Sequence, residues 1–264
     1  MLNRTSPDRT VAVMARILVP YHIDERLDDL DIPVAPDVAI TTAAPAGNDP
    51  WDLMTVLYER VADLVAADVG RGERPVVVSG DCTTSLGTVA GLQRAGLDPS
   101  IVWFDGHGDV QTPETTASGY LGGYPLRLLV GYRPELISRP LGLRAVPEDR
   151  VTLVDARDLD PPEVEYLSTA AIRRCGVPGL TTDALPDGPI YLHLDVDVVD
   201  PGALPGLRYP APDGPSLNAV ADALRTVLGT GRVVAFGLAC TWHPGHGAAD
   251  AMRARLGAVL AGWE

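Results

Sequence analysis

The amino-acid sequence predicts an α/β fold in which helices cover both faces of a mostly parallel sheet. Short runs of β-branched and other apolar residues recur along the chain, and segments with apolar residues at helical spacing separate them. Such alternation is typical of parallel strands joined by crossover helices. No internal repeat or linker interrupts the pattern, so we predict a single domain over residues 1–264.

Each element has a local justification. A first strand over residues 11–14 continues over residues 17–20 into a loop. Residues 51–67 carry Leu and Val at helical spacing, and Gly70 and Gly72 end that helix. Three consecutive valines in the segment 75–79 indicate a strand that is buried on both faces. Further strands are predicted over residues 101–105, 150–155, 189–196 and 232–238, and further helices over residues 84–95, 162–175, 216–228 and 247–262.

The charge balance excludes several classes of function. The chain has 35 acidic and 21 basic residues, which give a formal net charge of -14. It lacks the clustered cations that nucleic acids and anionic membranes attract, so we expect neither as a partner. All the basic residues are Arg, which excludes Schiff-base and P-loop Lys chemistry. The start does not resemble a signal peptide, no apolar run could span a bilayer, and three Cys form no disulfide framework, so we expect a cytoplasmic protein.

Chemistry-bearing side chains follow two of the predicted strands. Asp105, His107 and Asp109 come at the end of the strand at 101–105, and residues two apart in an extended chain share a face. Asp195 and Asp197 are spaced in the same way at the end of the strand at 189–196. Ionised carboxylates crowded at buried strand ends are costly unless cations offset their charge. The sequence therefore predicts a divalent-metal site at the carboxyl edge of the sheet.

A third polar segment, Ser79-Gly80-Asp81-Cys82, follows the valine-rich strand and offers a thiolate as a further ligand. Taken alone, Cys82 is more often a buried apolar residue, and each acidic cluster alone could be a solvated turn. His193 shares a face with the two aspartates that follow it, either as support for the ligands or as a core residue.

Together and in this order, the three segments resemble the signatures of the ureohydrolase family, which includes arginases and agmatinases. The family motifs Gly-Gly-Asp-His, Asp-Ala-His-x-Asp and Ser-x-Asp-x-Asp-x-x-Asp-Pro correspond to residues 79–82, 105–109 and 193–201. The resemblance implies an arginase-type three-layer α/β/α fold with about eight strands, and two Mn²⁺ ions that share a hydroxide, which attacks an amidino carbon. By this correspondence, one ion is held by Cys82, Asp105, Asp109 and Asp195, and the other by Asp105, His107, Asp195 and Asp197.

The loop after the first triplet resembles the arginase loop that binds the α-carboxylate of the substrate. Residues 111–113 and 115–119 correspond to Asn-Thr-Pro and Thr-Thr-Thr-Ser-Gly of that loop. The resemblance implies that Gln111, Thr116 and Ser118 bind the carboxylate and that Asp160 and Glu163 bind the α-amino group. Both sets favour an α-amino acid over agmatine, which has no carboxylate.

Three positions depart from the family pattern. Cys82 stands in place of a His ligand, and its softer thiolate shifts the metal preference from manganese toward zinc or iron. The His that serves arginases as a proton shuttle falls on Gly122, and the Glu that faces the guanidinium falls on Thr241. Because a guanidinium cation then lacks its charge partner, we expect arginine to be a poor substrate. An N-hydroxylated guanidine is less basic, and the two small residues leave room for its oxygen.

This combination resembles family members that hydrolyse Nω-hydroxy-L-arginine to hydroxyurea and L-ornithine in D-cycloserine biosynthesis, and we predict this reaction. Catalytic positions are assigned to Asp109, Thr241 and His243, the last as a substitute proton donor. The alternatives are another amidino- or formimino-amino-acid hydrolase, and a non-catalytic protein that binds metal and an amino acid. The chain ends directly after its last predicted helix, without the tail that some arginases use in trimer contacts, so a monomer is favoured over a trimer.

Overall fold

The structure is a computed structural model that describes residues 14–42 and 49–263. Along these residues the strands are β1 (Met14–Val19), β2 (Tyr21–His22), β3 (Glu25–Arg26), β4 (Val38–Ala39), β5 (Arg74–Ser79), β6 (Ser100–Asp105), β7 (Val151–Asp155), β8 (Arg173–Cys175), β9 (Ile190–Asp195) and β10 (Val233–Ala239). The α-helices are α1 (Pro50–Gly70), α2 (Ser85–Arg94), α3 (Pro125–Leu129), α4 (Pro161–Thr169), α5 (Leu217–Leu228) and α6 (Ala248–Ala261). None of these helices is long and apolar enough to cross a bilayer.

Eight strands form one parallel sheet in the order β4-β1-β5-β10-β9-β6-β7-β8. The remaining two, β2 and β3, form an antiparallel hairpin directly after β1. Because β5, β10, β9 and β6 are neighbours and run in one direction, their carboxyl ends lie side by side. The polar segments that follow these strands therefore meet at one edge of the sheet, where ligand sites of open α/β sheets lie.

The central strands of the sheet are buried on both faces. In β6, the side chains of Ile101 and Trp103 belong to one apolar cluster, and those of Val102 and Phe104 belong to the other. Residues of α1 and α2 fill the first cluster, whereas residues of α5 and α6 fill the second. This arrangement explains why the central strands are mostly apolar, and it confirms the predicted three-layer α/β/α fold with an eight-stranded parallel sheet.

One predicted helix is wrong in its second half. The helix expected over residues 162–175 ends at Thr169, and Ala170 has extended backbone angles. The following residues Arg173–Cys175 pair with β7 as an edge strand, because β7 satisfies backbone groups that a helix would satisfy internally. Sequence analysis also missed β4, the β2–β3 hairpin and α3. The predicted start of the first strand at residues 11–13 lies outside the described residues, and β1 begins at Met14.

Helices α1 and α2 pack closely because Gly91 has no side chain. A Cβ added to Gly91 would lie 2.6 Å from the carbonyl oxygen of Ala62 and 2.7 Å from Cβ of Val65.

We therefore expect Gly91→Ala to lower the free energy of unfolding by about 1–3 kcal/mol, although alanine favours helices. The matched control is Gly257→Ala in α6, where no atom lies within 4 Å; it should raise that free energy by about 0.5–1 kcal/mol. Urea unfolding of both variants checks this, and an unchanged Gly91→Ala would contradict the close packing.

Candidate active site

A cavity opens at the carboxyl edge of the sheet. It is lined by all six residues that the sequence predicts as metal ligands, although they come from three separate segments: Cys82, Asp105, His107, Asp109, Asp195 and Asp197. The five predicted substrate-binding residues and Thr241 line the same cavity. The structure thus brings together every predicted site residue except His243.

Asp105, at the end of β6, has both carboxylate oxygens held in place. The indole Nε1–H of Trp103 donates to its Oδ2 at 3.0 Å, and the backbone N–H of His107 donates to its Oδ1 at 2.7 Å. The ring Nδ1 of His107 lies 3.1 Å from Oδ2 of Asp197 and 3.5 Å from Oδ1 of Asp105. Ligand atoms of Asp105, His107 and Asp197 all lie within 4.8 Å of one another, so one metal ion could contact all three.

Cys82 begins the turn that follows β5. Its Sγ lies 2.8 Å from Oδ2 of Asp195 and 3.2 Å from Nε2 of His193. Together with Asp105, the Cys82 and His193 side chains form a second group whose ligand atoms lie within 4.8 Å of one another. The ring of His193 stacks on Trp103 with 3.7 Å between ring centroids. His193, which the sequence left open between a supporting and a core residue, therefore lies directly beside the thiol.

The turn that presents Cys82 is held by Asp81. Oδ1 of Asp81 accepts the backbone N–H of Thr83 at 2.7 Å, and Oδ2 accepts the backbone N–H of Ile23 at 2.6 Å. Asp81 is buried, so these bonds compensate for the loss of water around its charge. Because Ile23 lies between β2 and β3, Asp81 fixes the hairpin and the Cys82 turn relative to each other.

Asp109 has a carboxylate oxygen that the described residues leave without a hydrogen-bond partner. Its Oδ2 is buried, and the backbone of Asp109 adopts the left-handed conformation, with φ of 55°. A buried oxygen without a hydrogen-bond partner has lost the favourable free energy of its hydration, and no other interaction replaces it. A divalent cation at this position would provide the missing interaction, so the orphaned oxygen fits a metal site.

Burial and mutual repulsion raise the pKa of three of the carboxyl groups when no cation is present. Burial raises the pKa of Asp109 well above its usual range, and the charge of Asp105 adds to the effect. Burial also raises the pKa of Asp195, with Asp197 adding to it, and raises the pKa of Asp197 to about 6. Divalent cations would offset the repulsion, and carboxylate, imidazole and thiolate are suitable ligands for them.

The pKa of His107 shifts in the opposite sense. Burial opposes its charge, but hydrogen bonds to Asp105 and Asp197 outweigh burial and raise the pKa of the imidazole to about 12. Burial likewise opposes the charge of Asp105, but the hydrogen bonds from His107 lower the pKa of that carboxyl overall. In the metal-free site an imidazolium therefore supplies the positive charge. A metal ion must displace its proton in order to bind the ring.

The predicted substrate-binding residues form a connected rim of the cavity. Nε2 of Gln111 donates to Oδ2 of Asp160 at 2.8 Å, and its Oε1 accepts the hydroxyl of Thr115 at 2.8 Å. Glu163 is buried, and its carboxylate accepts the backbone N–H of Asp160 at 3.1 Å and that of Val110 at 3.2 Å. Asp160 is exposed toward the cavity, whereas Glu163 ties the start of α4 to the loop after β6.

Thr116 and Ser118 present hydroxyl groups on the same rim. Oγ1 of Thr116 accepts the backbone N–H of Gly119 at 3.2 Å, and Oγ of Ser118 accepts the backbone N–H of Tyr120 at 3.2 Å. Since the oxygens accept these bonds, the hydroxyl hydrogens can point away from the loop. Two such hydrogens can donate to a carboxylate, as the sequence resemblance implies.

Of the two remaining catalytic assignments, only Thr241 lies in the cavity. Thr241 is buried, and its hydroxyl donates to Oδ1 of Asp195, so it contributes no charge beside the metal ligands. His243 lies outside the cavity, is exposed, and donates its backbone N–H to Gly206 at 2.8 Å. This placement argues against His243 as the substitute proton donor.

Sequence analysis missed an aromatic cluster that contributes to the cavity wall. The rings of Tyr120 and Tyr209 lie 4.8 Å apart, and the ring of His22 stacks on Tyr120 at 5.7 Å. Both tyrosines line the cavity. The sequence offers one signal for Tyr120, which stands two residues before Gly122, where the chain departs from the family pattern. The sequence offers no signal for His22, because only the β2–β3 hairpin brings it to the site.

Comparisons with known proteins agree with this architecture. The N(omega)-hydroxy-L-arginine amidinohydrolase of Streptomyces lavendulae is 34% identical over 197 residues, which cover 69% of this chain and 68% of that protein. The arginase of Eremothecium gossypii is 32% identical over 193 residues, which cover 66% of this chain but about half of that protein, 48%. The structure of the arginase from Bacillus cereus superposes with a TM-score of 0.81 at 21% identity, covering 94% of this chain and 98% of that one.

The family assignment rests on nearly the whole chain. The sequence profile of the arginase family matches residues 3–261, a range that contains every predicted metal ligand. Arginase-family enzymes use a binuclear metal centre, and the described residues hold two groups of candidate ligands. The chain therefore belongs to the arginase family, whose members are hydrolases that act on the C–N bonds of amidino groups.

Proposed function

We propose that this chain hydrolyses Nω-hydroxy-L-arginine to hydroxyurea and L-ornithine. The observation that carries the proposal is the uncharged cavity wall at Thr241. Its hydroxyl donates to Asp195 and thereby places a neutral group beside the metal ligands, where the sequence resemblance puts an acidic residue in arginases. The similarity to the Streptomyces lavendulae amidinohydrolase, which extends over 69% of the chain, supports the same substrate.

The six metal-ligand candidates would hold two Mn²⁺ ions, with Asp105 and Asp195 shared between them. When bound, such a pair of cations lowers the pKa of a water molecule and polarises the group under attack. Asp105 is suited to a shared position because Trp103 and His107 fix its orientation from the protein side. Asp109, with its orphaned oxygen, would complete the site on the Cys82 side.

The rim would hold the amino-acid end of the substrate. The hydroxyl groups of Thr116 and Ser118 and the amide of Gln111 would contact the α-carboxylate. Asp160 would contact the α-ammonium group, because its carboxylate is exposed toward the cavity and opposite in charge. Glu163 would position Asp160 by holding its backbone N–H, as its buried carboxylate already does.

Charge explains the preference for the hydroxylated substrate. A guanidinium cation needs an anionic partner in a buried site, since an unpaired buried charge is strongly unfavourable. The electron-withdrawing oxygen of an N-hydroxyguanidine lowers its basicity, so this group can enter the site uncharged. Thr241 donates its hydroxyl hydrogen to Asp195 and can then accept a hydrogen bond from this group without the desolvation of a second ion.

The test is a direct comparison of substrates with manganese-loaded protein. Ornithine is measured after separate incubation with Nω-hydroxy-L-arginine and L-arginine, together with hydroxyurea from the first and urea from the second. Agmatine is tested by the release of putrescine. We expect kcat/KM for the hydroxylated substrate to exceed that for arginine by about 10²-fold or more, which corresponds to roughly 3 kcal/mol of differential transition-state binding. Equal or faster release of ornithine from arginine would overturn the proposal. Ornithine from neither would favour a different amidino- or formimino-amino-acid substrate or a non-catalytic binding protein.

The cytoplasmic location and the part in D-cycloserine biosynthesis stay predictions from the sequence.

A further inference from the structure

The phenol of Tyr120 occupies the space beside Gly122. A Cβ built on Gly122 would overlap the ring and hydroxyl of Tyr120. Any larger residue at position 122 would therefore displace the ring. Position 122 is also where the sequence resemblance puts the proton shuttle of arginases. A His at position 122 and the Tyr120 ring in its present position therefore exclude each other.

Tyr120 has a titratable partner. Its hydroxyl lies 3.1 Å from Nε2 of His22, and the two rings are stacked with an interplanar angle of 18°. The other ring nitrogen of His22, Nδ1, lies 3.0 Å from the carbonyl oxygen of Gly80. Since a carbonyl oxygen only accepts, Nδ1 carries a hydrogen, and in the neutral ring Nε2 accepts the hydroxyl hydrogen of Tyr120.

The hairpin holds His22 firmly at this position. The backbone N–H of Gly80 donates to Tyr21 at 2.9 Å, and the backbone N–H of Ile23 donates to Asp81 at 2.6 Å. His22 is buried, with 8% of its surface exposed. A histidine whose two nitrogens are both committed, one to a backbone carbonyl and one to a phenol in the cavity, is arranged as a proton relay and not only as an apolar wall.

We infer that Tyr120 donates the proton to the departing amine and that His22 resupplies it, an inference that rests on the proposed function. As the bond between the amidino carbon and the δ-nitrogen of ornithine breaks, that nitrogen keeps the electron pair and takes the phenol hydrogen. The proton that the attacking water released reaches Nε2 of His22 through solvent, and the Tyr120 oxygen takes it from there. Protons therefore balance over one turnover.

The environment keeps the donor in its protonated form. Burial raises the pKa of Tyr120 far above its usual value, and the charge of Asp81 adds to this effect. The phenol therefore carries its hydrogen before the reaction begins. Tyr209 packs against the ring and limits its movement.

The test removes the phenol hydroxyl and the imidazole separately and uses whichever amino-acid substrate the wild type hydrolyses fastest. We expect Tyr120→Phe to lower kcat by about 10²–10⁴-fold, as loss of general acid catalysis does, with KM and the bound metal unchanged. His22→Ala should lose a similar factor, and added imidazole should restore part of it. The control Tyr132→Phe removes the hydroxyl that contacts Glu114 outside the cavity and should leave kcat unchanged.

A readout independent of turnover is nitrogen NMR of histidine-labelled protein. The His22 ring should report the tautomer with hydrogen on Nδ1, and its Nε2 signal should shift in Tyr120→Phe. Wild-type kcat in Tyr120→Phe, or no rescue of His22→Ala by imidazole, would overturn the relay. If the wild type hydrolyses another amidino substrate instead of Nω-hydroxy-L-arginine, the proposed function fails while the variants still decide on the relay. A wild type that hydrolyses no such substrate would overturn both.

Discussion

Asp109→Asn is expected to raise the melting temperature of the metal-free protein and to lower that of the manganese-loaded protein. In the metal-free site, Oδ2 of Asp109 is buried without a partner, and the charges of neighbouring carboxylates repel that of Asp109. An amide at this position can donate to those neighbours and carries no charge. Asn also tolerates the left-handed backbone that Asp109 adopts. With manganese present, the same change removes an anionic ligand.

The sign of the metal-free effect follows from the pKa shift. Burial raises the pKa of Asp109 in the folded protein, with Asp105 adding to it. The pKa of an aspartate in the unfolded chain is about 3.9, and here the folded pKa is higher. Below about pH 3.9 the acid is protonated in both states and does not affect stability. Above about pH 3.9 it destabilises the fold progressively as the pH rises. Asp195 and Asp197 shift in the same sense. The benefit of Asp109→Asn should therefore be absent near pH 3 and present at pH 7.

The measurement is thermal unfolding with and without a chelator. At pH 7 we expect a rise of a few degrees in chelator, corresponding to roughly 1–2 kcal/mol, and a drop relative to wild type in manganese. The control is Asp213→Asn, which makes the same change at an exposed residue with φ of 60° and should respond to neither condition. A lower melting temperature of Asp109→Asn in chelator, or an undiminished gain from manganese, would contradict the assignment of Asp109 to the metal site.

The sequence predicted the central part of the molecule because there the local pattern and the tertiary structure agree. A strand buried on both faces must be almost wholly apolar, so β5, β6 and β9 stand out from their surroundings. Their carboxyl ends must be adjacent in a parallel sheet, so the polar residues after them must meet. The positions of Cys82, Asp105 and Asp195 in one cavity follow from these two constraints.

The parts that were not predicted depend on contacts between distant residues. His243 stands two residues from Thr241, but the backbone N–H of Trp242 bonds back to the carbonyl of Cys240, and this tight turn directs His243 outward. The edge strand β8 forms only because β7 provides a partner. His22 reaches Tyr120 through a hairpin that Asp81 anchors, and no periodicity in the sequence connects those residues.

Cys82→Ala is expected to remove one of two bound metal ions per chain and to lower turnover by more than the roughly 10–100-fold that loss of an outer-shell partner costs. Burial raises the pKa of the Cys82 thiol, and the charge of Asp195 adds to the effect, so the metal-free site holds a protonated thiol. Its Sγ lies 2.8 Å from Oδ2 of Asp195. A cation near both atoms would displace the proton and bind the thiolate.

Cys240 provides a matched control for this change. It is also buried, and burial together with Asp195 also raises its pKa, but its side chain belongs to the apolar cluster that α5 and α6 fill. Cys240→Ala should therefore destabilise the fold by leaving a cavity and still bind two metal ions. Metal analysis after dialysis distinguishes the two variants. Cobalt(II) adds a second readout, since a thiolate ligand gives charge-transfer absorption that Cys82→Ala must lose and Cys240→Ala must keep.

Cys82→His separates the charge of the ligand from its mere presence. A neutral imidazole at this position replaces an anionic sulfur, so the site should retain two ions and shift its preference from zinc toward manganese. Competition between the two metals in wild type and Cys82→His measures that shift. Two ions bound by Cys82→Ala, or the same metal preference in Cys82→His and wild type, would show that the thiol does not bind metal. In that case the contact between Cys82 and His193 at 3.2 Å would be part of the core packing around Trp103 and not part of a metal site.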